Sequence, residues 1–144
     1  MYTVKEVSNI LNLTEHTIRY YANKGLIPTL KRNSNNIRLF DEASINWIIF
    51  VKHLKDCGMS INEIKEFVDL WSQGNSTIPT RYEIIAKQRE KTKQELIDVK
   101  HRLDVLQHKL LHYEELMSKL SSDENMELKK SPIINKIKKE DVSK

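Results

Sequence analysis

Apolar side chains recur at helical spacing in five stretches of the chain, separated by short polar or glycine-containing breaks. Spacings of three and four residues are typical of helices that bury one face. The pattern predicts helices over about 4–11, 15–24, 42–57, 61–73 and 81–120. In the first helix the predicted buried face consists of Val4, Val7, Ile10 and Leu11, and in the second helix Ile18 points inward.

Capping residues mark where these helices begin and end. Three hydroxyl residues precede a glutamate by three positions, which is the spacing of a capping box: Thr3 with Glu6, Ser60 with Glu63, and Thr80 with Glu83. Thr14 and Asp41 are predicted N-caps of two further helices. Gly25, Gly58 and Gly74 stand where a left-handed residue would close a helix.

The segment between the second and third predicted helices has a different character. Pro28 excludes a helix, residues 33–36 form a turn-prone cluster, and residues 37–40 favour a strand. We therefore predict a short two-stranded hairpin with basic and amide side chains at its tip. Two helices joined by a tight turn and followed by such a hairpin are typical of a winged helix-turn-helix, which reads DNA.

The second predicted helix leaves a polar face turned outward. If Ile18 points inward, five side chains of this helix remain exposed: His16, Thr17, Arg19, Tyr20 and Lys24. Arginine binds guanine edges or phosphates, and hydroxyl groups donate to phosphates. The alternative interpretation is a helical hairpin with an ordinary solvated face.

A heptad seam runs along the last predicted helix. Its apolar positions alternate in steps of three and four residues: Leu96, Val99, Leu103, Leu106, Leu110, Tyr113, Met117 and Leu120. A helix of roughly 60 Å, at 1.5 Å per residue, is too long to be covered by an N-terminal part of this size. We expect a second copy of the chain to cover the seam. The alternative is a different protein, in which case the chain would be a coiled-coil adaptor with the N-terminal part as a structural cap.

These elements suggest a division into four parts. We predict a DNA-binding domain over residues 1–75, a linker over 76–80 and a coiled-coil dimerisation helix over 81–120. The last part, residues 121–144, is predicted to be a mobile and largely disordered tail.

Composition and charge agree with a helical DNA-binding protein. The 144 residues include only three glycines and three prolines, and 31% of them are charged. Residues 1–40 carry six basic and two acidic side chains, which equals the whole net charge of +4. No apolar run approaches the roughly 20 residues that span a bilayer, and the first residues lack a signal-peptide pattern. We therefore expect a cytoplasmic protein without membrane contact.

No arrangement of residues indicates catalysis. The chain has no glycine-rich phosphate loop, no serine–histidine–aspartate spacing and no isolated pair of carboxylates. A single cysteine, Cys57, provides neither a disulfide nor a cysteine-pair zinc site. We expect no enzyme activity, no cofactor and no bound metal.

Residues 2–73 resemble the N-terminal domain of the MerR family of bacterial transcription regulators. The resemblance rests on Thr17-Ile-Arg-Tyr-Tyr21, on Gly25-Leu-Ile-Pro28, on Asn36-Ile-Arg-Leu-Phe40, and on the motifs at residues 2–7 and 54–60. The leucine-rich helix after residue 80 extends it to about residue 120. Asn36 departs from the family pattern, in which the wing usually has glycine, although asparagine tolerates a left-handed conformation.

The resemblance implies an all-α fold with a small β-hairpin wing, followed by a long antiparallel dimerisation helix. It implies a homodimer that binds a pseudo-palindromic promoter site, distorts double-stranded DNA and works with RNA polymerase in the bacterial nucleoid. The DNA contacts it implies, together with His16 of the exposed face, are Thr3, Thr17, Arg19, Tyr20, Lys24, Lys31, Arg32, Asn36 and Arg38. Tyr21 and Phe40 could belong either to the core or to the contact.

The signal that would control such a regulator is expected to be small. Metal-sensing relatives place cysteines near the far end of the dimer helix, and drug-binding relatives append a domain; the sequence has neither. A small electrophile or thiol stress could act on Cys57, although the end of a helix disfavours thiol reactivity and the residue could simply pack. A small organic effector could instead bind where the partner's Tyr113 approaches Trp47, Phe67 and Trp71, unless these aromatic side chains only form core.

Overall fold

The computed structural model describes residues 1–122, so the predicted tail lies outside the described residues from residue 123 onward. The elements are α1 (Val4–Leu11), α2 (Glu15–Asn23), β1 (Lys31–Arg32), β2 (Arg38–Leu39), α3 (Glu42–Asp56), α4 (Ile61–Ser72), a 3-10 helix (Asn75–Thr77) and α5 (Ile78–Ser122). The predicted fold class is confirmed: a mostly helical chain with one two-stranded antiparallel hairpin and a long C-terminal helix.

The chain divides into two compact units, Met1–Thr92 and Lys93–Lys144. We call the first unit the head; of the second, the structure describes only the C-terminal part of α5. The first turns of α5 belong to the head because Ile84 packs against its core. Gln88 also donates from Nε2 to the carbonyl oxygen of Cys57 over 2.9 Å. The domain boundary at residue 75 therefore stays a prediction.

Side-chain caps begin each of the first four α-helices. Each cap accepts a hydrogen bond from the backbone N–H three residues further on, which satisfies one of the free amides at a helix start; the caps are Thr3, Thr14, Asp41 and Ser60. At Ser60 the capping box is reciprocal, since the Ser60 amide donates to Glu63 Oε1 over 3.0 Å. Gly25, Gly58 and Gly74 have positive φ, but Gly74, with φ 99° and ψ −171°, lies outside the left-handed helical region that the sequence predicted.

The start of α5 differs from the prediction. Thr80 is not an N-cap, because α5 already begins at Ile78 and follows the 3-10 helix directly. The buried residue at this junction is Thr77, whose Oγ1 lies 2.7 Å from the carbonyl oxygen of Leu70 and 2.8 Å from that of Gly74. The predicted linker, residues 76–80, is therefore helical throughout.

The core of the head is formed where α1, α2, α3 and α4 meet beside the hairpin. Its fully buried side chains include Val7, Ile18, Leu26, Phe40, Ile48, Val51, Met59, Ile64 and Val68. Ile10 was predicted to be buried, and this is wrong, since its side chain is 55% exposed. At 100° per residue Ile10 lies on the opposite side of Val7 from Val4 and Leu11, which do pack against the core.

The hairpin pairs Lys31 with Leu39 and Arg32 with Arg38. Its turn is stabilised by Asn33, whose Oδ1 accepts from the amides of Asn35 and Ile37, and Asn36 adopts a left-handed φ of 62°. The chain start adds a further bridge, in which Tyr2 and Phe40 exchange two backbone hydrogen bonds of 2.7 and 2.8 Å. This bridge fixes the hairpin next to the start of α1.

Candidate nucleic-acid interface

The exposed face of α2 carries the side chains that the sequence singled out. His16, Arg19, Tyr20 and Lys24 are exposed, whereas Thr17 is half-buried. Arg19 forms an ion pair with Glu15 over 3.3 Å, and the Lys24 ammonium lies 5.8 Å from the centre of the Tyr20 ring. Both contacts are at the surface, where water screens them, so the cations stay available to a phosphate.

Two arginines stabilise the hairpin, which we call the wing: Arg32 bonds within its turn, and Arg38 joins it to α2. Arg32 donates from Nη1 to the carbonyl oxygen of Asn36 over 3.1 Å and to its Oδ1 over 3.3 Å. Arg38 donates to Oδ1 of Asn23 at the end of α2. Arg32 thus stabilises the turn of the wing and Arg38 sets the position of the wing on α2, while both keep donors for a second partner.

A groove of about 560 Å³ lies between the start of α1, the face of α2 and the wing. Half of the predicted DNA contacts line it: Thr3, Arg19, Arg32, Asn36 and Arg38. Lys5 also lines the groove, and the sequence interpretation missed it; its place just after the Thr3 cap was the available signal. The one acidic residue among those lining the groove is Glu15, which is paired with Arg19. The groove is therefore positively charged overall.

The remaining predicted contacts do not line this groove. They are His16, Thr17 and Tyr20 on α2, Lys24 at its C-cap, and Lys31 on β1. Tyr21 and Phe40, whose roles the sequence left open, are buried in the core. Burial raises the pKa of the Tyr21 phenol above its ordinary value, because an apolar surrounding disfavours the charged form.

The predicted effector residues of the head come together in a second place. Trp47, Phe67 and Trp71 line a cleft of about 450 Å³ between α3 and α4, together with Phe50 and Arg81. The ring centres of Trp47 and Trp71 are 5.0 Å apart, and those of Phe50 and Phe67 are 5.3 Å apart. Phe67 is buried, but Trp71 is 40% exposed, so these aromatic side chains form both core and an open surface.

Cys57 is the C-cap of α3, and it is exposed. Its carbonyl oxygen accepts from Gln88 Nε2, and the choice between a sensor thiol and a packing residue stays a prediction. One turn earlier on the same helix, the Lys52 ammonium is bound to Asp56 over 2.8 Å.

The predicted seam lies along one side of α5. Its eight side chains, from Leu96 to Leu120, are between 48% and 61% exposed in the single chain. Tyr113 contacts His112 edge to face. Within residues 1–122, no helix is both long enough and apolar enough to cross a membrane. The same part of the chain contains no group of three histidine, cysteine or acidic residues that could hold a metal ion.

Two family models match the sequence. The model for MerR HTH family regulatory proteins covers residues 2–70, and the model described as "MerR, DNA binding" covers residues 45–120. Among characterised relatives, the HTH-type transcriptional regulator AdhR of Bacillus subtilis is 38% identical over 88 residues. These residues span 61% of this chain and 63% of AdhR.

Solved structures give the same match. The structure of HiNmlR, a MerR family regulator that lacks the sensor domain and is bound to promoter DNA, superposes with a TM-score of 0.69 at 28% identity. This match covers 81% of the present chain and 93% of HiNmlR. A MerR family transcriptional regulator from Bacillus thuringiensis superposes with a TM-score of 0.65 at 35% identity, over 78% of this chain and 98% of that one.

Proposed function

Because this chain belongs to the MerR family of DNA-binding transcriptional regulators, we propose that it binds a pseudo-palindromic promoter site as a homodimer and distorts the DNA there. Members of the family regulate transcription and are not enzymes. The observation that carries the proposal is the basic groove in which α1, α2 and the wing bring their cations together. HiNmlR, which has a similar fold, binds promoter DNA.

We assign the DNA contacts according to the elements that carry them. The exposed face of α2 enters the major groove, where Arg19 reads base edges and His16, Thr17, Tyr20 and Lys24 hold the neighbouring backbone. On the wing, Lys31, Arg32, Asn36 and Arg38 bind phosphates, and Thr3 and Lys5 at the start of α1 add to them. Arginine forks suit phosphate oxygens as well as guanine edges.

The homodimer explains why the site should be a pseudo-palindrome. A pair of chains that buries the seam along α5 carries two heads related by a two-fold axis, and such a pair requires two half-sites of inverted sequence. The exposed seam supports this assembly, because a row of apolar side chains at heptad spacing needs a facing helix. The adaptor alternative is not favoured, since the family models cover both the head and the seam.

DNA distortion is the step that links binding to transcription. Bending a short duplex by tens of degrees costs on the order of 1–6 kcal/mol, which the protein–DNA contacts must supply. An effector that binds one dimer geometry better than another shifts the balance between the two. We propose that this shift presents the promoter to RNA polymerase on the bacterial nucleoid.

We further propose that the effector is a small organic molecule bound in the cleft of Trp47, Phe67 and Trp71, and that Cys57 is not required for the response. The cleft has the volume of a small-molecule site, for which about 300–1,000 Å³ is common. A Cys57→Ser variant should therefore respond as the parent does. Loss of the response in this variant alone would assign the signal to the thiol.

The decisive experiment is to sequence the genomic fragments that the full-length protein retains, and then to titrate one such fragment by fluorescence anisotropy at several salt concentrations. We expect a promoter fragment with two inverted half-sites and an affinity that falls steeply as salt rises. Circular permutation of the fragment should reveal a bend at its centre. Equal affinity for unrelated duplexes, or no duplex binding, would contradict the proposal.

A further inference from the structure

The cleft between α3 and α4 has aromatic walls and one cationic group. Trp47, Phe50, Phe67 and Trp71 form the walls, and Trp47 contacts both Phe50 and Trp71 edge to face. The other lining residues are Ala43, Asn46 and Arg81, so none of the residues lining the cleft is acidic. Apolar walls with a few polar groups are the usual composition of a small-molecule site.

Arg81 is held in place from one side only. Its Nε donates to Thr77 Oγ1 over 3.0 Å, and its Nη2 donates to the carbonyl oxygen of Gly74 over 3.4 Å. None of the ion pairs formed within residues 1–122 includes Arg81. A guanidinium carries five N–H donors and a permanent charge, so Arg81 offers the cleft an oriented cation that no carboxylate of the described residues neutralises.

We infer that this cleft binds a small aromatic carboxylate, with the ring against the tryptophans and the carboxylate on Arg81. The inference rests on the proposed function, because it names the chemical class of the effector. A cavity of about 150 Å³ holds one benzene ring, so a cleft of about 450 Å³ accommodates two fused rings and a charged group. Asn46 supplies an amide donor on the same lining.

The position of Arg81 connects the ligand to the rest of the head. Its two bonds within the protein go to Thr77 and Gly74, the residues that form the junction between α4 and α5. A carboxylate on the outer nitrogen of Arg81 fixes the guanidinium and therefore the first turn of α5. Occupancy of the cleft thus favours one geometry of this junction over others.

Isothermal titration calorimetry of the full-length protein tests the inference with two probes of the same shape, 1-naphthoate and neutral 1-naphthamide. We expect the carboxylate to bind at least tenfold more tightly than the amide. In Arg81→Gln this preference should vanish, while Arg89→Gln, which removes an exposed arginine from the same helix, should keep it. Arg81→Lys, which retains the charge, should keep part of the preference.

Equal affinity of the two probes for the parent protein, or binding of neither, would overturn the inference without the use of any variant. The same preparations are titrated with the promoter fragment. If the parent protein binds the promoter fragment but shows no preference for the carboxylate, the inference is wrong and the proposed function stands. If the parent protein does not bind the fragment, the proposed function is contradicted.

Tryptophan fluorescence can distinguish two possible occupants of the cleft, the small carboxylate and a second copy of the chain. Trp47 and Trp71 are the two tryptophans of the sequence, and both line the cleft, so tryptophan fluorescence reports on it directly. We expect 1-naphthoate to change this emission at protein concentrations above the dimer dissociation range. A change in the dilute monomer alone would show that the partner chain fills the cleft in the dimer, and would overturn the inference.

Discussion

The head and the C-terminal part of α5 differ in how far their apolar side chains are buried within one chain. In the head, side chains such as Val7, Ile18 and Phe40 are fully buried within one chain, and the surface carries the charged groups. Along the seam, every side chain is about half exposed. The head therefore buries its apolar side chains within one chain, whereas burial of the seam requires a second molecule.

This contrast also separates the two tasks of the protein. The groove that we propose as the DNA-binding surface is built from contacts within one head, such as Arg32 with Asn36 and Arg38 with Asn23. In the proposed homodimer, the paired helices set the distance between the two heads. Damage to the groove should weaken each half-site, while damage to the seam should remove cooperation between half-sites altogether.

The largest effect is expected from charges placed in the seam. Leu103→Glu combined with Leu106→Glu would bury carboxylates in an apolar interface, at a cost of several kcal/mol for each. Sedimentation should show a monomer at micromolar concentration, and binding to the promoter fragment should be lost.

His101→Glu combined with His108→Glu provides the matched control, because these positions lie on the side of α5 opposite the seam. This protein should remain a dimer and bind DNA. A dimer in the seam variant would show that α5 does not hold the two chains together.

The next largest effect is expected in the groove. Arg19→Ala should weaken binding to the promoter fragment by about 1–3 kcal/mol if Arg19 reads a base, and Tyr20→Phe should weaken it less. Arg89→Ala removes an exposed arginine outside the groove and should leave the affinity unchanged. Anisotropy titrations measure all three variants. An affinity of Arg19→Ala equal to that of the parent protein would exclude Arg19 from the DNA interface.

Features that depend on nearby residues could be predicted from the sequence. The caps at Thr3, Thr14, Asp41 and Ser60 were found because a cap and the amide that it binds are three residues apart. The hairpin and the heptad seam follow from equally local patterns. The prediction that Ile10 is buried was wrong because, in a helix of two turns, the apolar pattern does not fix which edge of the apolar face turns toward the core.

Features that depend on contacts between distant residues could not be predicted. Arg38 binds Asn23 across 15 positions, and Gln88 binds the Cys57 carbonyl across 31. The early start of α5 depends on Thr77, whose hydroxyl reaches back to Leu70. The same junction places Arg81 beside the aromatic cleft. The sequence therefore identified the aromatic residues of the cleft but not its cation.

A smaller effect should divide the wing residues by role. Lys31→Ala should weaken binding to all duplexes alike and reduce the salt slope of the homodimer by about 1.8, the value for two phosphate contacts, one in each head. Arg32→Ala should do the same and also loosen the turn, because it removes the bonds to Asn36. Arg32→Lys restores the charge but not the fork, so it should recover the slope with only part of the affinity. A parental salt slope in both alanine variants would exclude the wing from phosphate contact.

The smallest effect concerns acid stability, and it belongs to the head. The amides of Ser44 and Ser60 donate to the carboxylates of Asp41 and Glu63, and these bonds lower the pKa of both groups from their ordinary values of 3.8 and 4.5. Because each pKa is lower in the folded than in the unfolded chain, the resulting stability is fully present above pH 4.5 and is lost as the pH falls through the folded values.

Tryptophan fluorescence measures this loss in the head alone, since both tryptophans lie there. Glu63→Gln should therefore flatten the fall in the free energy of unfolding between pH 5 and pH 3, about the range in which a capping carboxylate is protonated. Glu66→Gln changes a carboxylate of the same helix outside the cap and should leave that fall as steep as in the parent protein. If the free energy of unfolding of both variants falls with pH as it does in the parent protein, the cap at Ser60 does not contribute to acid stability. Other groups then cause the loss of stability of the head at low pH.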